Sequence, residues 1–389
     1  MRALVVERKP LRFAAARVAS EVAPGRGARV GPLKLADVAE PPLPGPGWLR
    51  VRPRLAGICG SDLATVDGRS SRWFESVVSF PFTPGHEIVG DTDDGRRVVV
   101  EAVLGCEARG IEPRCRGCAG GANDRCERLH VGGLEPGLQT GYCCSTGGGW
   151  SQVLVASQDQ LHEVPDELSD EAAVMVEPAA CALHAALSTP TAGAVVAVLG
   201  AGTLGLCTIA AVAAHGGPAR LLAGAKHPEQ RRLARAFGAT DVVSGGELKR
   251  AVRRATGSFD YDDGTLTGGA DVTYDCVGSS DSITTSIAMT RPGGTVVLVG
   301  MPATVTVDLT PLWQQQVRLQ GAYAYGVEPT LGHVRTFAAA MDLVARYDLG
   351  RRVSARYPLG RFTEAIDHAA HAGARGAVKI AFSPQEKTR

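Results

Sequence analysis

The feature that most constrains the fold is a glycine-rich turn between an apolar strand and a helical run. In "VVAVLGAGTLGLCTIAA" the glycines Gly200, Gly202 and Gly205 stand in the order G-x-G-x-x-G. These glycines permit a tight turn, leave room beside the backbone for a pyrophosphate, and let helix and strand pack closely. The helix then begins at Thr203 and Leu204, where unpaired N–H groups can bind phosphate. The turn predicts a dinucleotide site, and a turn that binds nothing is the alternative.

The pattern of apolar residues divides the 389 residues into two kinds of segment. After about residue 190, apolar runs such as "AVVAVLG" alternate with helical runs such as "PEQRRLARAFG", which is typical of βαβ units on a parallel sheet. Nearer the start, short β-type runs such as "WLRVRPRLAG" are broken by Gly and Pro. A chain of this length usually forms two domains. We therefore expect an α/β protein with a mostly β domain over 1–165, a doubly wound Rossmann domain over 166–322, and a segment over 323–389 whose strand "GAVKIAFSP" returns to the first domain.

The overall charge argues against large polyanionic partners. Lys and Arg number 41 against 40 for Asp and Glu, so the composition indicates no basic surface for nucleic acid or an anionic membrane. The first residues lack the apolar core of a signal peptide, and no window has the apolar length of a membrane span. We expect a cytoplasmic protein with a small-molecule substrate. In that reducing compartment, the 10 cysteines point to metal binding or catalysis rather than disulfides.

The residues after the second Rossmann strand bear on the choice of cofactor. NAD sites usually carry an acidic residue about 20 residues after the glycines, where it holds the ribose hydroxyls. The matching stretch "RLLAGAKHPEQRR" has no acidic residue before Glu229. It offers basic side chains instead, namely Lys226, His227, Arg231 and Arg232. NADP is therefore favoured over NAD, and the alternative is that these residues form only a solvated helix face.

Four cysteines fall within one stretch rich in glycine, "CEARGIEPRCRGCAGGANDRC". They are Cys106, Cys115, Cys118 and Cys126, with a C-x2-C pair in the middle. Four thiolates can close tetrahedrally on zinc without an open position, which predicts a structural zinc site. Disulfides and unbonded thiols are the alternatives.

A second set of ligand-type residues is dispersed along the chain. It consists of Cys59 in "GICGSD", His86 and Glu87 in "PGHEIVG", and Glu177 in "MVEPAACALH". Singly, a buried cysteine is commonly a small apolar residue, and a lone histidine is commonly hydrogen-bonded rather than metal-bound. Together, a thiolate, an imidazole and a carboxylate leave a fourth zinc position for water or substrate, as catalysis requires. The set predicts a catalytic zinc.

With the cysteine loop, "GICGSD", "GHE", "VEPAACALHA" and "GAGTLG" all present, the chain resembles the zinc-dependent medium-chain alcohol dehydrogenases. The motifs "CGSD", "GHE" and "EP" are most similar to the polyol- and threonine-dehydrogenase-like branch. The resemblance implies a GroES-like catalytic domain made of both chain ends, with a Rossmann domain between them. It also implies two zinc ions per chain, a nicotinamide cofactor, and a homo-oligomer, either a dimer or a tetramer.

The resemblance assigns roles to the dispersed residues. Cys59 and His86 correspond to ligands of the catalytic zinc, and Glu87 or Glu177 supplies the third bond. Asp62 resembles the carboxylate that orients the imidazole of the histidine ligand, a contact that fixes the tautomer and raises the basicity of the ligand.

The resemblance also assigns the proton chemistry. Zinc, as a Lewis acid, would lower the pKa of the alcohol so that Ser61 accepts its proton while hydride passes to the nicotinamide. Many relatives have a histidine five residues after the zinc cysteine, and this histidine passes the proton to solvent. Here Ala64 occupies that position. Water, a cofactor ribose hydroxyl or another side chain then completes the relay, or proton exit is slower.

The cysteine loop matches the structural-zinc cysteines of the family but departs from their spacing. Eight residues, "EARGIEPR", separate Cys106 from Cys115, where relatives have two. We keep Cys106 as a predicted ligand because a flexible loop of this length can close at small extra entropic cost.

The expected activity is hydride transfer between a nicotinamide cofactor and a secondary alcohol or ketone, such as a polyol, an amino alcohol or a specialised metabolite. A zinc-free reductase of the same superfamily, acting on activated double bonds, is one alternative. A non-catalytic, dinucleotide-sensing protein is the other. The full set of candidate zinc ligands weighs against both.

Overall fold

The computed structural model describes residues 1–386. These residues form two compact units. The first unit comprises Met1–Glu177, Tyr325–Val327 and the described residues from Phe337 onward, and the second comprises Pro178–Ala324 and Glu328–Thr336.

Most strands are short, and several of them coincide with the apolar runs quoted above. In chain order they are β1 (Arg2–Val6), β2 (Leu33–Asp37), β3 (Trp48–Gly57), β4 (Ile88–Thr92), β5 (Arg97–Val100), β6 (Leu154–Ser157), β7 (Leu161–Glu163), β8 (Val195–Leu199), β9 (Arg220–Gly224), β10 (Asp241–Val243), β11 (Ala270–Asp275), β12 (Thr290–Leu298), β13 (Arg318–Gly321), β14 (Val327–Glu328), β15 (Val334–Arg335), β16 (Val353–Tyr357) and β17 (Lys379–Phe382).

The helices are mostly short. In chain order they are α1 (Pro10–Val22), α2 (Gly27–Val30), α3 (Gly60–Val66), α4 (Arg116–Ala119), α5 (Asp170–Ala173), α6 (Val176–Leu187), α7 (Thr203–Ala211), α8 (Pro228–Ala236), α9 (Leu248–Thr256), α10 (Ser280–Met289), α11 (Thr310–Gln314), α12 (Thr336–Arg346) and α13 (Phe362–Ala370). Within residues 1–386, no helix combines the length and the apolar character needed to cross a membrane.

The second unit is built on a parallel six-stranded sheet in the order β10-β9-β8-β11-β12-β13. The central strands are apolar because helices follow them along the chain and cover the sheet, as in "VVAVL" of β8, where four of five residues are buried. The order reverses between β8 and β11, and ligands of doubly wound sheets bind at such a point. The predicted Rossmann fold is confirmed, and β8 is the strand that leads into the glycine-rich turn.

The first unit is built on a mostly antiparallel sheet in the order β16-β17-β3-β4-β5-β7, with β6 paired to β3. The long strand β3 is central, because it pairs with β4, β6 and β17. β17 comes from "GAVKIAFSP" and pairs with the end of β3, Ala381 lying opposite Gly57. The expected return of a C-terminal strand to the β-rich part of the chain is confirmed.

The helices α1 and α2 lie between β1 and β2 and are absent from the sequence-based interpretation. Leu11, Val18 and Val22 of α1 are exposed, so the apolar residues of this helix do not mark one buried face and give no clear amphipathic pattern. The buried carboxylate of Asp67, just after α3, accepts hydrogen bonds from the N–H groups of Gly25 and Gly27 at 2.9 and 3.1 Å. These bonds fasten α2 to the end of α3.

Candidate active site

Three of the dispersed candidate ligands lie at the end of β3 and the start of β4, two neighbouring strands of the first unit. β3 and β4 are antiparallel, with Ala56 opposite Ile88, so the end of β3 lies beside the start of β4. Cys59 follows β3 and is the N-cap residue of α3. His86 and Glu87 immediately precede β4. The strand pairing therefore brings together side chains that are far apart in sequence.

Cys59, His86 and Glu87 form a group whose ligand atoms all lie within 4.8 Å of one another. In a tetrahedral zinc site with bonds of roughly 2.0–2.3 Å, neighbouring ligand atoms lie roughly 3.3–3.8 Å apart. His86 and Glu87 are buried, and the side chain of Cys59 is half-buried. The thiol, imidazole and carboxylate fit a zinc ion in kind and in spacing, and they are one donor short of a tetrahedral set.

Asp62 connects two members of this group. One oxygen, Oδ2, accepts the backbone N–H of Cys59 at 3.0 Å, as expected for the third residue of a helix that begins at an N-cap. The other, Oδ1, lies 3.6 Å from Nδ1 of His86. Burial opposes the charge on His86, but Asp62 and then Cys59 raise its pKa well above the ordinary value. At 3.6 Å the two atoms are not hydrogen-bonded, so Asp62 acts on His86 through its charge.

Glu87 has a charged partner of its own. Oε2 of Glu87 ion-pairs with Nζ of Lys379, and both side chains are 2% exposed or less. Lys379 also donates to the carbonyl of Ile58 at 3.2 Å. Gly57 makes the approach possible, because a Cβ atom there would lie 1.8 Å from Oε2 of Glu87. Burial alone would lower the pKa of Lys379. The carboxylate of Glu87 outweighs this effect and raises the pKa of Lys379 above its ordinary value.

Glu177 is buried, with 7% of its surface exposed. Its charge contributes to the raised pKa of His86, after the larger effects of Asp62 and Cys59. In the part of the chain that the structure describes, Glu177 does not join the group of ligand atoms within 4.8 Å. The geometry therefore places Glu87, rather than Glu177, with the cysteine and the histidine.

The four clustered cysteines also come together. The ligand atoms of Cys106, Cys115, Cys118 and Cys126 all lie within 4.8 Å of one another, and the four residues are buried. The Sγ atoms of Cys106 and Cys126 are 3.8 Å apart, and those of Cys115 and Cys126 are 4.0 Å apart. These separations exceed a disulfide bond by far, and the ten cysteines are free. The longer spacing of eight residues does not carry Cys106 away from the other three.

The thiols of this cluster fit a zinc ion chemically. Backbone N–H groups of Cys106 and Cys115 donate to sulfur atoms at 3.4 and 3.3 Å. Burial raises the pKa of Cys118 above its ordinary value and raises that of Cys126 to about 11. Four buried thiolates so close together need a cation, because each added negative charge opposes the next. A zinc ion would supply that charge, and four thiolates would complete its coordination.

The insertion between the first two cysteines is held by a buried arginine. Arg109 is 1% exposed. Its guanidinium donates to carbonyl oxygens of two neighbouring segments, those of Leu104, Val131, Leu134, Glu135 and Gly137. An arginine can satisfy several carbonyls at once because its donors are spread over a planar fork. Arg109 therefore fixes the loop that carries the four cysteines.

The glycine-rich turn of the second unit has the expected geometry at each glycine. Gly200 has φ of +93°, which other residues rarely adopt. A Cβ atom on Gly205 would lie 1.9 Å from the carbonyl oxygen of Gly200, so glycine is needed for the close approach of α7 to the turn. A Cβ atom on Gly202 would meet nothing within 4 Å. The open space at Gly202 and the N-terminus of α7, which begins at Thr203 and Leu204, fit a pyrophosphate.

The basic residues near the end of β9 differ in what they contact. Lys226 is exposed. Arg231 donates to the carbonyls of Ala225 and Lys226 at 3.1 and 3.0 Å, so it braces the turn. Arg232 ion-pairs with Glu229 at 2.6 Å, and His227 begins α8 as its N-cap residue. The ammonium group of Lys226 is therefore the cation best placed to meet a ligand beyond β9.

Sequence reasoning missed three buried polar residues near these sites, Lys379, Tyr142 and Arg109. Lys379 gives a recognisable sign, because it interrupts the apolar strand "AVKIAF", and a buried lysine needs a partner. Tyr142 and Arg109 lie in irregular loops. No periodic pattern there distinguishes a buried polar side chain from an exposed one.

Two protein-family models match the chain. The alcohol dehydrogenase GroES-like domain matches residues 45–166. The zinc-binding dehydrogenase family matches residues 203–346. The first match contains both candidate metal clusters, and the second begins at the helix that follows the glycine-rich turn.

Individual relatives cover most of the chain. L-threonine 3-dehydrogenase of Streptomyces coelicolor is 30% identical over 347 residues, which is 87% of this chain and 93% of the relative. L-idonate 5-dehydrogenase of Vitis vinifera is 29% identical over 311 residues, 75% of this chain and 77% of the relative. A zinc-binding dehydrogenase of Sinorhizobium meliloti 1021 bound to NADP is 26% identical with a TM-score of 0.69, covering 92% of this chain and 98% of that chain.

These matches do not favour a zinc-free reductase or a non-catalytic protein, since the matched family is a family of zinc-binding dehydrogenases. The chain belongs to the zinc-dependent medium-chain alcohol dehydrogenases, enzymes that transfer hydride between a secondary alcohol or its ketone and a nicotinamide cofactor.

Proposed function

We propose that this enzyme holds one catalytic and one structural zinc ion per chain and prefers NADP. The observation that carries the catalytic assignment is the group of Cys59, His86 and Glu87, in which three different donors converge from two strand ends. Three protein ligands leave one position for a substrate, whereas the four cysteines close theirs. The two clusters therefore take the catalytic and the structural zinc, respectively.

Each residue around the catalytic cluster has a separate role in alcohol oxidation. Zinc, when bound, supplies a Lewis acid that lowers the pKa of an alcohol at this site. Ser61, the second residue of α3, takes the alcohol proton on its Oγ. Asp62 places its charge beside the imidazole of His86, and Lys379 balances the charge of Glu87. Glu177 adds a negative charge that favours a positively charged site. A nicotinamide cofactor, when bound, would accept the hydride of the carbinol carbon.

The preference for NADP rests on the end of β9. The position directly after Gly224 is Ala225, so no carboxylate meets the ribose hydroxyls there. Lys226 is exposed beside it, and Arg231 braces its backbone. A cation at this place attracts a 2′-phosphate, while a carboxylate would repel it. His227 supports the turn as the N-cap residue of α8.

The substrate we propose is a secondary alcohol that carries a neighbouring hydroxyl or amino group. L-threonine, the substrate named for the Streptomyces relative, is an amino alcohol, and L-idonate is a polyol acid.

We also propose a cytoplasmic homo-oligomer, a dimer or a tetramer. The cytoplasmic location is supported by the ten free cysteines, which suit a reducing compartment. The oligomeric state is proposed from the resemblance to the family. Light scattering after size-exclusion chromatography tests the oligomer.

Metal analysis and hydride transfer together test the catalytic assignment. We expect two zinc ions per chain by mass spectrometry, and reversible loss of turnover when a chelator removes one of them. NADPH oxidation is then followed at 340 nm with a panel of ketones, hydroxyketones and aminoketones. A protein with no metal that still turns over would contradict the catalytic zinc. Absence of hydride transfer across the whole panel would contradict the dehydrogenase itself.

Two substitutions test the cofactor preference. Lys226→Ala should raise the KM for NADP about tenfold and leave that for NAD unchanged, since only the former carries the 2′-phosphate. Arg232→Ala is the matched control, because Arg232 is already paired with Glu229 on the same helix. If wild-type enzyme binds NAD more tightly than NADP, the proposed preference is wrong.

A further inference from the structure

Asp275, the last residue of β11, is a buried carboxylate at the edge of the parallel sheet where the glycine-rich turn lies. β8 and β11 are neighbouring parallel strands, and Asp275 is paired with Leu199, the last residue of β8. Because Gly200 follows Leu199, the glycine-rich turn begins beside the end of β11. Asp275 is 0% exposed. It can therefore act on a bound dinucleotide only through the residues that it holds.

The carboxylate of Asp275 holds the turn that follows β11. Its Oδ1 accepts the backbone N–H groups of Val277 at 2.8 Å and Gly278 at 3.1 Å. Its Oδ2 accepts the hydroxyl of Ser282, the third residue of α10, at 2.8 Å. Burying a carboxylate is costly unless its oxygens are hydrogen-bonded, and these three donors meet that need. One side chain thus fixes both the turn after β11 and the start of α10.

The backbone of Asp275 holds a second turn. Its carbonyl oxygen accepts the N–H groups of Val299 and Gly300, just after β12, each at 2.9 Å. A Cβ atom on Gly300 would lie 2.7 Å from the backbone nitrogen of Val277. A Cβ atom on Gly278 would lie 2.8 Å from the carbonyl oxygen of Gly300. The turns after β11 and β12 are therefore in backbone contact, and Asp275 is bonded to both of them.

The turn after β11 also packs directly against the glycine-rich turn. A Cβ atom on Gly200 would lie 2.6 Å from Cγ2 of Val277. A Cβ atom on Gly205 would lie 3.5 Å from Cβ of Cys276, whose N–H donates to the carbonyl of Leu199 at 3.0 Å. The turn after β11 therefore limits the positions that the glycine-rich turn and the start of α7 can take. The N–H groups that fit a pyrophosphate lie at that start.

We propose that Asp275 is a positioning residue for the nicotinamide dinucleotide. It fixes the turn after β11 against the glycine-rich turn, so the crevice between β8 and β11 is formed before the cofactor arrives. Ligands of doubly wound sheets bind where the strand order reverses, which here is between β8 and β11. A site that is already ordered loses less entropy on binding. The inference rests on dinucleotide binding by the proposed enzyme and is independent of the preference for NADP.

Asp275→Ala tests the inference because it removes all three side-chain hydrogen bonds and keeps the backbone carbonyl. We expect the Kd values for NADP and NAD to rise by the same factor, about tenfold or more, since order is lost before any contact with the 2′-phosphate. At saturating cofactor, kcat should stay within about twofold of the wild type, because binding restores the site. A protein that is merely less stable would instead have a lower kcat and unchanged Kd values.

Asp275→Asn is the rescue variant. The amide oxygen of asparagine can accept the N–H groups of Val277 and Gly278, and its amide nitrogen can donate to the hydroxyl of Ser282. This variant should recover most of the affinity that alanine loses. Lys226→Ala provides the contrast, because it should weaken the binding of NADP and leave that of NAD unchanged.

Asp271→Ala is the matched control, because Asp271 lies at the opposite end of β11. Its carboxylate also holds two donors, the N–H of Val195 at 2.8 Å and Nε of Arg291 at 2.6 Å. Val195 is the first residue of β8. These contacts therefore join the starts of the two strands, away from the glycine-rich turn. The control should lower the Tm and leave both Kd values unchanged.

A measurement on the wild-type enzyme decides the question if Asp275→Ala does not fold. Hydrogen exchange of a peptide that covers residues 276–281 is followed by mass spectrometry, with and without NADP. Exchange should already be slow without the cofactor and should change little when NADP is added. Exchange that becomes slow only when NADP binds would overturn the inference, because the ligand would then order the turn.

The outcomes separate this inference from the function on which it rests. Equal increases of both Kd values in Asp275→Ala, but not in Asp271→Ala, support it. A folded Asp275→Ala enzyme with wild-type Kd values overturns it, whether or not kcat falls. A wild-type enzyme that binds neither NADP nor NAD contradicts the proposed function instead.

Discussion

The two metal-ligand clusters of the first unit differ in how the chain supplies their donors. The four cysteines come from one loop, within residues 106–126, and all are thiols. Cys59, His86 and Glu87 come from the ends of β3 and β4, and each is a different kind of donor. A loop can wrap an ion from all sides, whereas donors fixed on two strand ends approach it from one side. With four donors the first arrangement would close a zinc site, and with three donors the second would leave one position for a substrate.

The clusters also differ in how their charge is balanced. Around the cysteines, backbone N–H groups bond the sulfur atoms directly, and buried Arg109 bonds the surrounding carbonyls. In the second cluster each of two ligands has its own ionic partner, His86 with Asp62 and Glu87 with Lys379. Individual partners tune individual ligands. The comparison predicts that changes at the cysteine loop reduce stability, whereas changes at the second cluster reduce turnover.

The largest effect should follow from Cys59→Ala. We expect kcat to fall about a thousandfold or more, since the Lewis acid is lost with its thiolate ligand. Zinc content should fall from two ions to one, while NADP binding persists because the glycine-rich turn lies in the other unit. Mass spectrometry, turnover and cofactor fluorescence check these points. A variant that retains turnover with one zinc would break the assignment of the two clusters.

Cys115→Ser should have the opposite profile. Loss of a thiolate from a closed four-ligand site removes the folding free energy that the metal supplies, and we expect a loss of about 4 kcal/mol. Chemical denaturation measures it. Cys143→Ser is the control, because Cys143 is a buried cysteine of the same unit outside the cluster, with its thiol donating to the carbonyl of Glu135 at 3.4 Å. Equal stability losses in the two variants would contradict a structural zinc.

Arg109→Met tests whether the arginine holds the inserted loop. Methionine leaves several buried carbonyls without a donor, so the free energy of unfolding should fall by about 3 kcal/mol. Arg125→Met is the control on the same loop, because the Arg125 side chain is 75% exposed and its ion pair with Asp124 spans 3.6 Å. An Arg109 variant as stable as the Arg125 variant would show that the loop is held by the metal and backbone alone.

The fold was predictable wherever local periodicity reports burial. The runs "AVVAVLG" and "RLLAG" became β8 and β9 because parallel strands covered on both faces must be apolar throughout. The helices α1 and α2 were not predictable. The exposed Leu11 and Val18 hide the buried face of α1, and α2 depends on the buried carboxylate of Asp67, a contact between distant segments.

The candidate ligands were predictable as residue types but not as a set. Sequence left Glu87 and Glu177 as equal candidates, and the pairing of β3 with β4 is what places Glu87 beside Cys59. Lys379 reaches Glu87 from the opposite end of the chain. Tyr142 contacts Thr65 only because a loop folds over α3. Such contacts depend on tertiary packing, which no local pattern records.

The smallest effect we expect is that of Asp62→Asn. This variant tests whether a partner of one ligand changes the catalytic site and leaves the cysteine cluster unaffected. The asparagine oxygen can still accept the N–H of Cys59, but the charge facing His86 is lost. Zinc affinity of the catalytic site and kcat/KM should fall about ten- to a hundredfold, as for other partners of histidine ligands. Chelator competition and steady-state kinetics measure both, and the structural zinc should be unaffected.

Asp67→Asn provides the matched control for this last variant. Asp67 is a buried carboxylate at the opposite end of α3, where it bonds the N–H groups of Gly25 and Gly27 and pairs with Arg69. Its loss should lower the Tm and leave zinc affinity unchanged. If Asp62→Asn behaves in the same way, Asp62 serves only to cap the helix. The individual tuning of the catalytic ligands would then rest on Lys379 alone.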